Sequence, residues 1–356
     1  MHYTIKDVEE HSKQNLFSVV STFAGAGGSS VGYKLSGGNV VLANEVSKSA
    51  VKIYKRNHTK TNMINDDIRN LKIDIDAIDI LDGSPPCVTF SVARGKKRDY
   101  TQEESITENL VLDYISLAQV KQPKICIIEN VRQFKSAPVF EQTLKELRSS
   151  GYIVNYKVLN SADYGVPQIR LRLFIVAIRK DISSKLGISE NDILNIFPKK
   201  ETDIQVTVKE ALKGLSINQE ERDLLLSTMR KSSNYEILKF IPKNPPKKTR
   251  MSDLNKDWTS DFSLDRASWD RPSPTLTSLG QQIGRGGICH PQEDRVFTIN
   301  ELCRLTGLPD DYSFSGTFNE KVLAIGNMVP PFMISALSKN IYQKVIKPFC
   351  YGKIMV

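Results

Sequence analysis

Short apolar runs alternate with helical patterns through the first half of the chain, and each run stops at glycine, proline or an acid. Leu16 to Thr22 reads as a strand. Phe23-Ala24-Gly25-Ala26-Gly27-Gly28-Ser29-Ser30 follows, then a helical pattern through Val31, Tyr33 and Leu35. This is strand, glycine-rich turn, helix. Val40 to Asn44 forms a second strand ending at Glu45, and a third segment ends near Asp66-Asp67-Ile68. Ala77 to Leu81 is short and β-prone. Gly83-Ser84-Pro85-Pro86 stops it abruptly, which puts Cys87 beyond the carboxyl end of a strand. A helical stretch from Thr107 to Val120 leads to the apolar strand Lys124 to Ile128, which closes on Glu129-Asn130-Val131. Such alternation predicts an α/β fold with a Rossmann-like, mostly parallel sheet, whose ligands bind outside the carboxyl ends of the strands.

The rhythm then changes. Tyr152 to Leu159 and Leu171 to Ile178 read as strands joined by Asn160 to Arg170, a connection too short for a helical crossover, so this terminal pair is expected to be antiparallel. Gln168, Arg170 and Arg172 recur at a spacing of two, which aims them at one face if the chain is extended there. From Asp181 to about Trp269 no strand–helix alternation is visible, and Lys243 to Arg250 is a basic, proline-broken loop. The glycine-rich stretch Gln281 to Gly287 follows, then a helix from Thr298 stopped by Gly307 and Pro309. Gly326-Asn327-Met328-Val329 and an apolar helix to Ile341 mark a return to the first core. The expected organisation is a catalytic domain from 1–180 and 318–356, with a smaller, irregular recognition domain from 181–317.

Composition narrows the class. With 356 residues, 40% hydrophobic and 25% charged, the chain can bury a sizeable core and reads as soluble. No apolar run approaches the ~20 residues that span a bilayer, and the start of the chain lacks a signal peptide's apolar stretch. A cytoplasmic protein with no membrane partner is expected. The net charge of +9 favours a polyanionic partner. Five cysteines without C-x-x-C spacing indicate neither a disulfide framework nor a zinc site, so no metal is expected.

The chemistry gathers at the strand ends. Cys87, in a proline-stiffened loop, is the candidate nucleophile, and Glu129 brings an acid to the same edge. Glu45 stands twenty residues beyond Gly25, where an acid can accept hydrogen bonds from a ribose diol. The glycine turn and this acid indicate a nucleotide-like cofactor, either a dinucleotide or an adenosyl compound. The basic loop Arg94 to Asp99 can close over a phosphate backbone or be a solvated face.

Taken together, Phe23-x-Gly25-x-Gly27, Pro85-Pro86-Cys87, Glu129-Asn130-Val131, Gln168-x-Arg170-x-Arg172 and Gly326-Asn327-x-Val329 resemble the cytosine-5 DNA methyltransferases, in that family's motif order and over nearly the whole chain. The resemblance implies S-adenosyl-L-methionine as cofactor, with Phe23, Gly25 and Gly27 around its adenosyl and methionine parts and Glu45 at the ribose. Asp67 and Ile68 would meet the adenine, with Pro86, Leu110, Asn327 and Val329 as further contacts. It implies Cys87 as the group that adds to cytosine C6 and Glu129 as the acid at the N3 edge, with Arg172 and Arg170 beside it. Double-stranded DNA is the implied substrate, a restriction endonuclease of the same system an implied partner, and segment 181–317 the implied reader of sequence. Three other readings compete. A nicotinamide oxidoreductase leaves Pro85-Pro86-Cys87 unexplained. A transfer-RNA cytosine methyltransferase has the same chemistry on another nucleic acid, and an inert DNA-binding relative would not need both Cys87 and Glu129.

Overall fold

A computed structural model describes residues 2–86, 102–201, 204–249, 254, 264–282 and 287–352, with the side chains of 102–108 not described. Cys87, the loop Arg94 to Asp99, Arg250 and Gly284 to Gly286 lie outside the described residues. The chain divides into two compact units. One holds residues 6–160, 171–199 and 333–356, and the other holds 1–5, 161–170 and 200–332. The segment 181–317 expected to form the recognition domain therefore falls mostly in the second unit, with 181–199 in the first.

The first unit is built on a seven-stranded sheet. Its strands are β1 (Ser18–Thr22), β2 (Asn39–Asn44), β3 (Asn62–Ile64), β4 (Ile80–Gly83), β5 (Ile125–Val131), β6 (Tyr152–Asn160) and β7 (Leu171–Arg179), in the order β3-β2-β1-β4-β5-β7-β6. Strands β1 to β5 pair in parallel, while β7 runs antiparallel to both β5 and β6. The helices in this part of the chain are α1 (Ile5–Ser12), α2 (Gly28–Leu35), α3 (Lys48–Asn57), α4 (Gln102–Lys121) and α5 (Pro138–Ser149). The run Ile125-Cys126-Ile127-Ile128 is buried throughout, as expected of a strand covered on both faces.

Alternation sorts the two faces. Val20, Leu81, Cys126, Ile128, Leu173 and Ile175 turn to a large core shared with Tyr114 and Ala118 of α4 and with Phe140, Leu144 and Leu147 of α5. Ser21, Asp82, Ile127 and Glu129 point the other way. Gly83 lets α4 approach the end of β4: an added Cβ there would lie 2.6 Å from the Tyr114 ring. The Tyr114 hydroxyl donates to the Leu81 carbonyl at 2.7 Å, tying the helix to the strand.

The second unit is held differently. Its small apolar core (Leu225, Met229, Leu238, Ile241, Leu264, Cys289, Val296) is laced with buried charge. Arg295 is fully buried and donates to both oxygens of buried Glu301, at 2.7 and 2.9 Å. Glu301 also closes a capping box with Thr298 on the helix Ile299–Thr306, which ends at Gly307 with φ 79°. Buried Arg266 pairs with Asp294 and donates to the Glu293 carbonyl at 2.9 Å. The stretch Phe318–Tyr351 is helical and apolar enough, by length and composition alone, to cross a bilayer. That corrects the expectation that no run comes near this size. Met328, in extended backbone, and Pro330-Pro331 interrupt it, and 61% of its most apolar window is buried within the protein, which is the pattern of core helices.

Breaking one partner of a buried ion pair costs about 3–5 kcal/mol, because the other charge stays buried. Glu301→Gln should therefore lower the urea midpoint of the second unit substantially, read from Trp269 fluorescence. Glu236→Gln, which removes an exposed partner of Lys239, should shift it by less than about 1 kcal/mol.

Candidate active site

The glycine turn after β1 is held in an uncommon backbone conformation. Phe23, Gly25 and Gly27 have φ of 50°, 55° and 100°, and for a bulky residue such as Phe23 that region costs of order 1–3 kcal/mol. Its neighbours impose it: the Ala24 amide donates to the Asn44 carbonyl at 3.0 Å and the Gly25 amide to Glu45 Oε2 at 2.9 Å. Glu45 thus joins two strand ends through one carboxylate, since its Oε1 accepts from the Ser47 amide at 2.8 Å. Each oxygen keeps a lone pair for a ligand's hydroxyl. An added Cβ on Gly25 would meet no atom within 4 Å, so that side of the turn is open.

Beyond β3, Asp67 accepts from the amide and Nε of Arg69 on Oδ1 (2.9 and 2.8 Å) and from its Nη2 on Oδ2 (2.7 Å). The hydrogen bonds from Arg69 hold the Asp67 carboxyl down at about 2. Oδ1 is saturated by two donors, and Oδ2 can receive one more N–H. Ile68 is buried in the core and Leu110 of α4 packs half-buried against it, so both shape the floor of this edge.

The motif at the end of β5 acts on two sides of the strand. Glu129, 6% exposed, meets Arg172 of β7, with Nε to Oε1 at 3.0 Å. The antiparallel register sets Arg172 opposite Val131 and Phe174 opposite Glu129, so acid and guanidinium are diagonal neighbours on one face. Asn130 faces away and donates through Nδ2 to the Pro85 carbonyl at 3.3 Å, while its Oδ1 accepts from the Val131 amide at 2.8 Å. It fastens the Pro85-Pro86 turn, with Pro86 exposed, to the strand that carries Glu129. Sequence reading gave Asn130 no role of its own; its position in the Glu-Asn-Val motif was the available signal.

Asp82 was likewise missed. It is 1% exposed and accepts from Ser21 Oγ on Oδ2 and from the Tyr33 hydroxyl on Oδ1, both at 2.9 Å. Burial pushes its carboxyl up to about 7, helped by Glu129 and opposed by the hydroxyls of Tyr33 and Ser21.

The arginine pair expected on one face is divided. Arg172 meets a carboxylate, but Arg170 belongs to the second unit and donates through Nη2 to the Gly326 carbonyl at 2.7 Å. Gln168 is buried there too, with Nε2 donating to the Leu305 carbonyl. The reason is pairing: Gln168 bridges to Ser273 of the second unit, whereas β7 and its pairing with β5 begin only beyond Arg170, with Arg172 opposite Val131. Gly326 is required where it stands, because an added Cβ would lie 2.5 Å from the Ser278 amide nitrogen. Asn327, exposed, ends the helix Phe318–Asn327, and Val329 is buried just beyond. Of the described cysteines, Cys126, Cys289 and Cys303 are buried. Burial pushes the Cys126 and Cys289 thiols up to about 12 and raises that of Cys303 as well, which keeps them protonated and unreactive. Cys350 is exposed.

Comparison with known proteins agrees with this arrangement. The family model for C-5 cytosine-specific DNA methylases matches residues 17–343. Type II methyltransferase M.Sau96I of Staphylococcus aureus is 30% identical, over 94% of this chain and 78% of that protein. Type II methyltransferase M.Eco47II of Escherichia coli is also 30% identical, over 94% and 80%. The crystal structure of S. pombe Dnmt2 methyltransferase shares the fold, with a TM-score of 0.64 at 20% identity over 91% of this chain and 97% of that one.

A carboxyl whose folded pKa lies above its ordinary value of 3.8 contributes stability that is present below that value and is lost as pH rises through the folded pKa. Asp82→Asn removes this loss. The variant's unfolding midpoint, relative to wild type, should therefore be higher at pH 8 than at pH 5 in paired urea titrations; a pH-independent difference would contradict the assignment.

Proposed function

The chain belongs to the C-5 cytosine-specific DNA methylases and is a DNA cytosine-5 methyltransferase; on that premise we propose that Cys87 and Glu129 act on a cytosine turned out of the duplex. The observation that carries this reading is the Glu129–Arg172 pair at 3.0 Å, on the strand whose Asn130 holds the turn leading into Cys87.

Cytosine C5 is a poor nucleophile. The Cys87 thiolate adds to C6, forming an S–C bond, while the displaced ring electrons move toward N3, where Glu129 delivers its proton. The ring is then an enamine whose C5 can attack an electrophile. Arg172 orients the Glu129 carboxyl and can donate to cytosine O2. Once C5 carries its methyl group and has lost its proton, the S–C6 bond breaks and Cys87 is released. Because C5 and C6 lie inside the stacked duplex, the base must be flipped out, as methyltransferases acting on duplex DNA generally require. The basic loop Arg94 to Asp99 would close over it.

The residues fit S-adenosyl-L-methionine. Glu45 retains acceptor capacity for a ribose diol, Asp67 Oδ2 for one adenine N–H, and the open side of Gly25 leaves room against the Phe23 turn. When bound, the cofactor supplies an electrophilic methyl group on a sulfonium. Gly27, Ile68, Pro86, Leu110, Asn327 and Val329 complete this proposed set. Double-stranded DNA is the substrate, 181–317 the segment that selects its sequence, and the cytoplasm the compartment, with a cognate restriction endonuclease as functional partner. The family match favours DNA over transfer RNA, and neither it nor the Cys87–Glu129 chemistry fits a nicotinamide oxidoreductase.

Fluorine on C5 cannot leave as a cation, so duplex DNA carrying 5-fluorocytosine at the target, with methyl donor present, should trap a protein–DNA adduct that survives denaturation. Cys87→Ser should abolish it, and Glu129→Gln should slow its formation by about 10²–10⁴ while retaining DNA binding. An adduct that persists in Cys87→Ser, or maps to Cys350, would overturn the assignment. Glu45→Ala should weaken S-adenosylhomocysteine binding in calorimetry, and NAD should give no heat.

A further inference from the structure

Asp82 stands in the motif that leads to Cys87, yet the reaction as derived does not use it. It lies on the same sheet face as Glu129. Parallel register sets Asp82 beside Ile127, and Glu129 is two residues further along β5, about 8 Å away by strand spacing. We propose that Asp82 is a positioning residue that acts electrostatically through Glu129: its negative charge offsets the pull of Arg172 and so favours the protonated, proton-donating form of the acid. The inference rests on the reading of Glu129 as proton donor.

The surroundings suit that task. Among the described residues, the groups facing Asp82 are Ser21 from β1, Tyr33 from α2, Tyr54 from α3 and Glu129 from β5, with Tyr114 from α4 behind the strand. Burial raises all three tyrosines, so they remain neutral. Arg172 bonds Glu129 directly, with Nε 3.0 Å from Oε1. A second carboxylate on the same face disfavours placing both negative charges at once. The two hydroxyls hold Asp82 in place in either ionisation state, since each can donate or accept. The carboxyl ionises near pH 7, so its influence is absent in acid and complete in mild alkali.

The test is single-turnover methyl transfer to duplex DNA by wild type and Asp82→Asn from pH 5.5 to 8.5. Asparagine preserves the hydrogen-bonding capacity of the neutral carboxyl. The ratio of wild-type to variant rate should be close to one at the acid end and rise through a midpoint near 7, reaching roughly thirtyfold for a charge about 8 Å away in a protein of effective dielectric about 20. The ratio should be flat and near one in a Glu129→Gln background. A Glu129→Gln enzyme as fast as wild type would refute the proton-donor reading itself. With a slow Glu129→Gln, a pH-independent ratio in the native background, whatever its size, would assign Asp82 a purely structural role and overturn this proposal.

Discussion

The site depends on a strand reversal. Five strands run in parallel and bring their carboxyl ends to one edge, but a parallel sheet alone can place there only the residues at and just past those ends. Because β7 runs against β5, its first residues arrive at that same edge, and Arg172 sits opposite Val131 within reach of Glu129. Were β7 parallel, Arg172 would stand seven residues from that edge, roughly 23 Å away at about 3.3 Å per residue. The acid would then be buried without a counter-charge, a costly state. Reversal of one strand therefore makes a buried acid tolerable at the point where chemistry needs one.

Much of this was legible in the sequence because it is written locally. Glycine and proline end β1 and β4 where the apolar runs say they should, and the eleven residues from Asn160 to Arg170 announce the antiparallel pair. Gly307 stops its helix in the left-handed conformation that glycine tolerates. What stayed hidden is long-range. Asn130 reaches Pro85 across 45 residues, and no periodicity encodes that contact. Asp82, next to Gly-Ser-Pro-Pro, reads as one more turn-forming polar residue, and only tertiary packing shows it sealed beneath Tyr33 and Ser21. Arg170 and Arg172 look equivalent by spacing, but pairing with β5 begins only beyond Arg170, and the two side chains find different partners. The division into units was partly hidden for a related reason, since short segments such as 161–170 leave one unit for the other without any shift in composition.

Buried charge is handled in two ways. In the second unit, Arg295 and Arg266 are matched with carboxylates and backbone carbonyls, so the charges act as fixed internal ties. In the first unit, the Asp82 carboxyl accepts from two hydroxyls among the described residues, and burial pushes it up to about 7. A fully compensated network resists changes in proton concentration. An under-compensated carboxyl remains responsive to them.

The interleaved chain also sets the order in which the protein can be made. The first unit includes the buried Met333, Ile334, Leu337 and Ile341, with Tyr342 against Phe17 and Ser338 bonded to Ser36 at 2.7 Å. On the ribosome, those residues emerge only after the roughly 130 residues of 200–332, a wait of about 7–26 s at ordinary elongation rates. During that interval Phe17 and Ser36 lack the partners that this segment supplies. The long central segment, whose own ties are largely internal, can complete its folding first, so the unit built on the seven-stranded sheet is begun first and finished last.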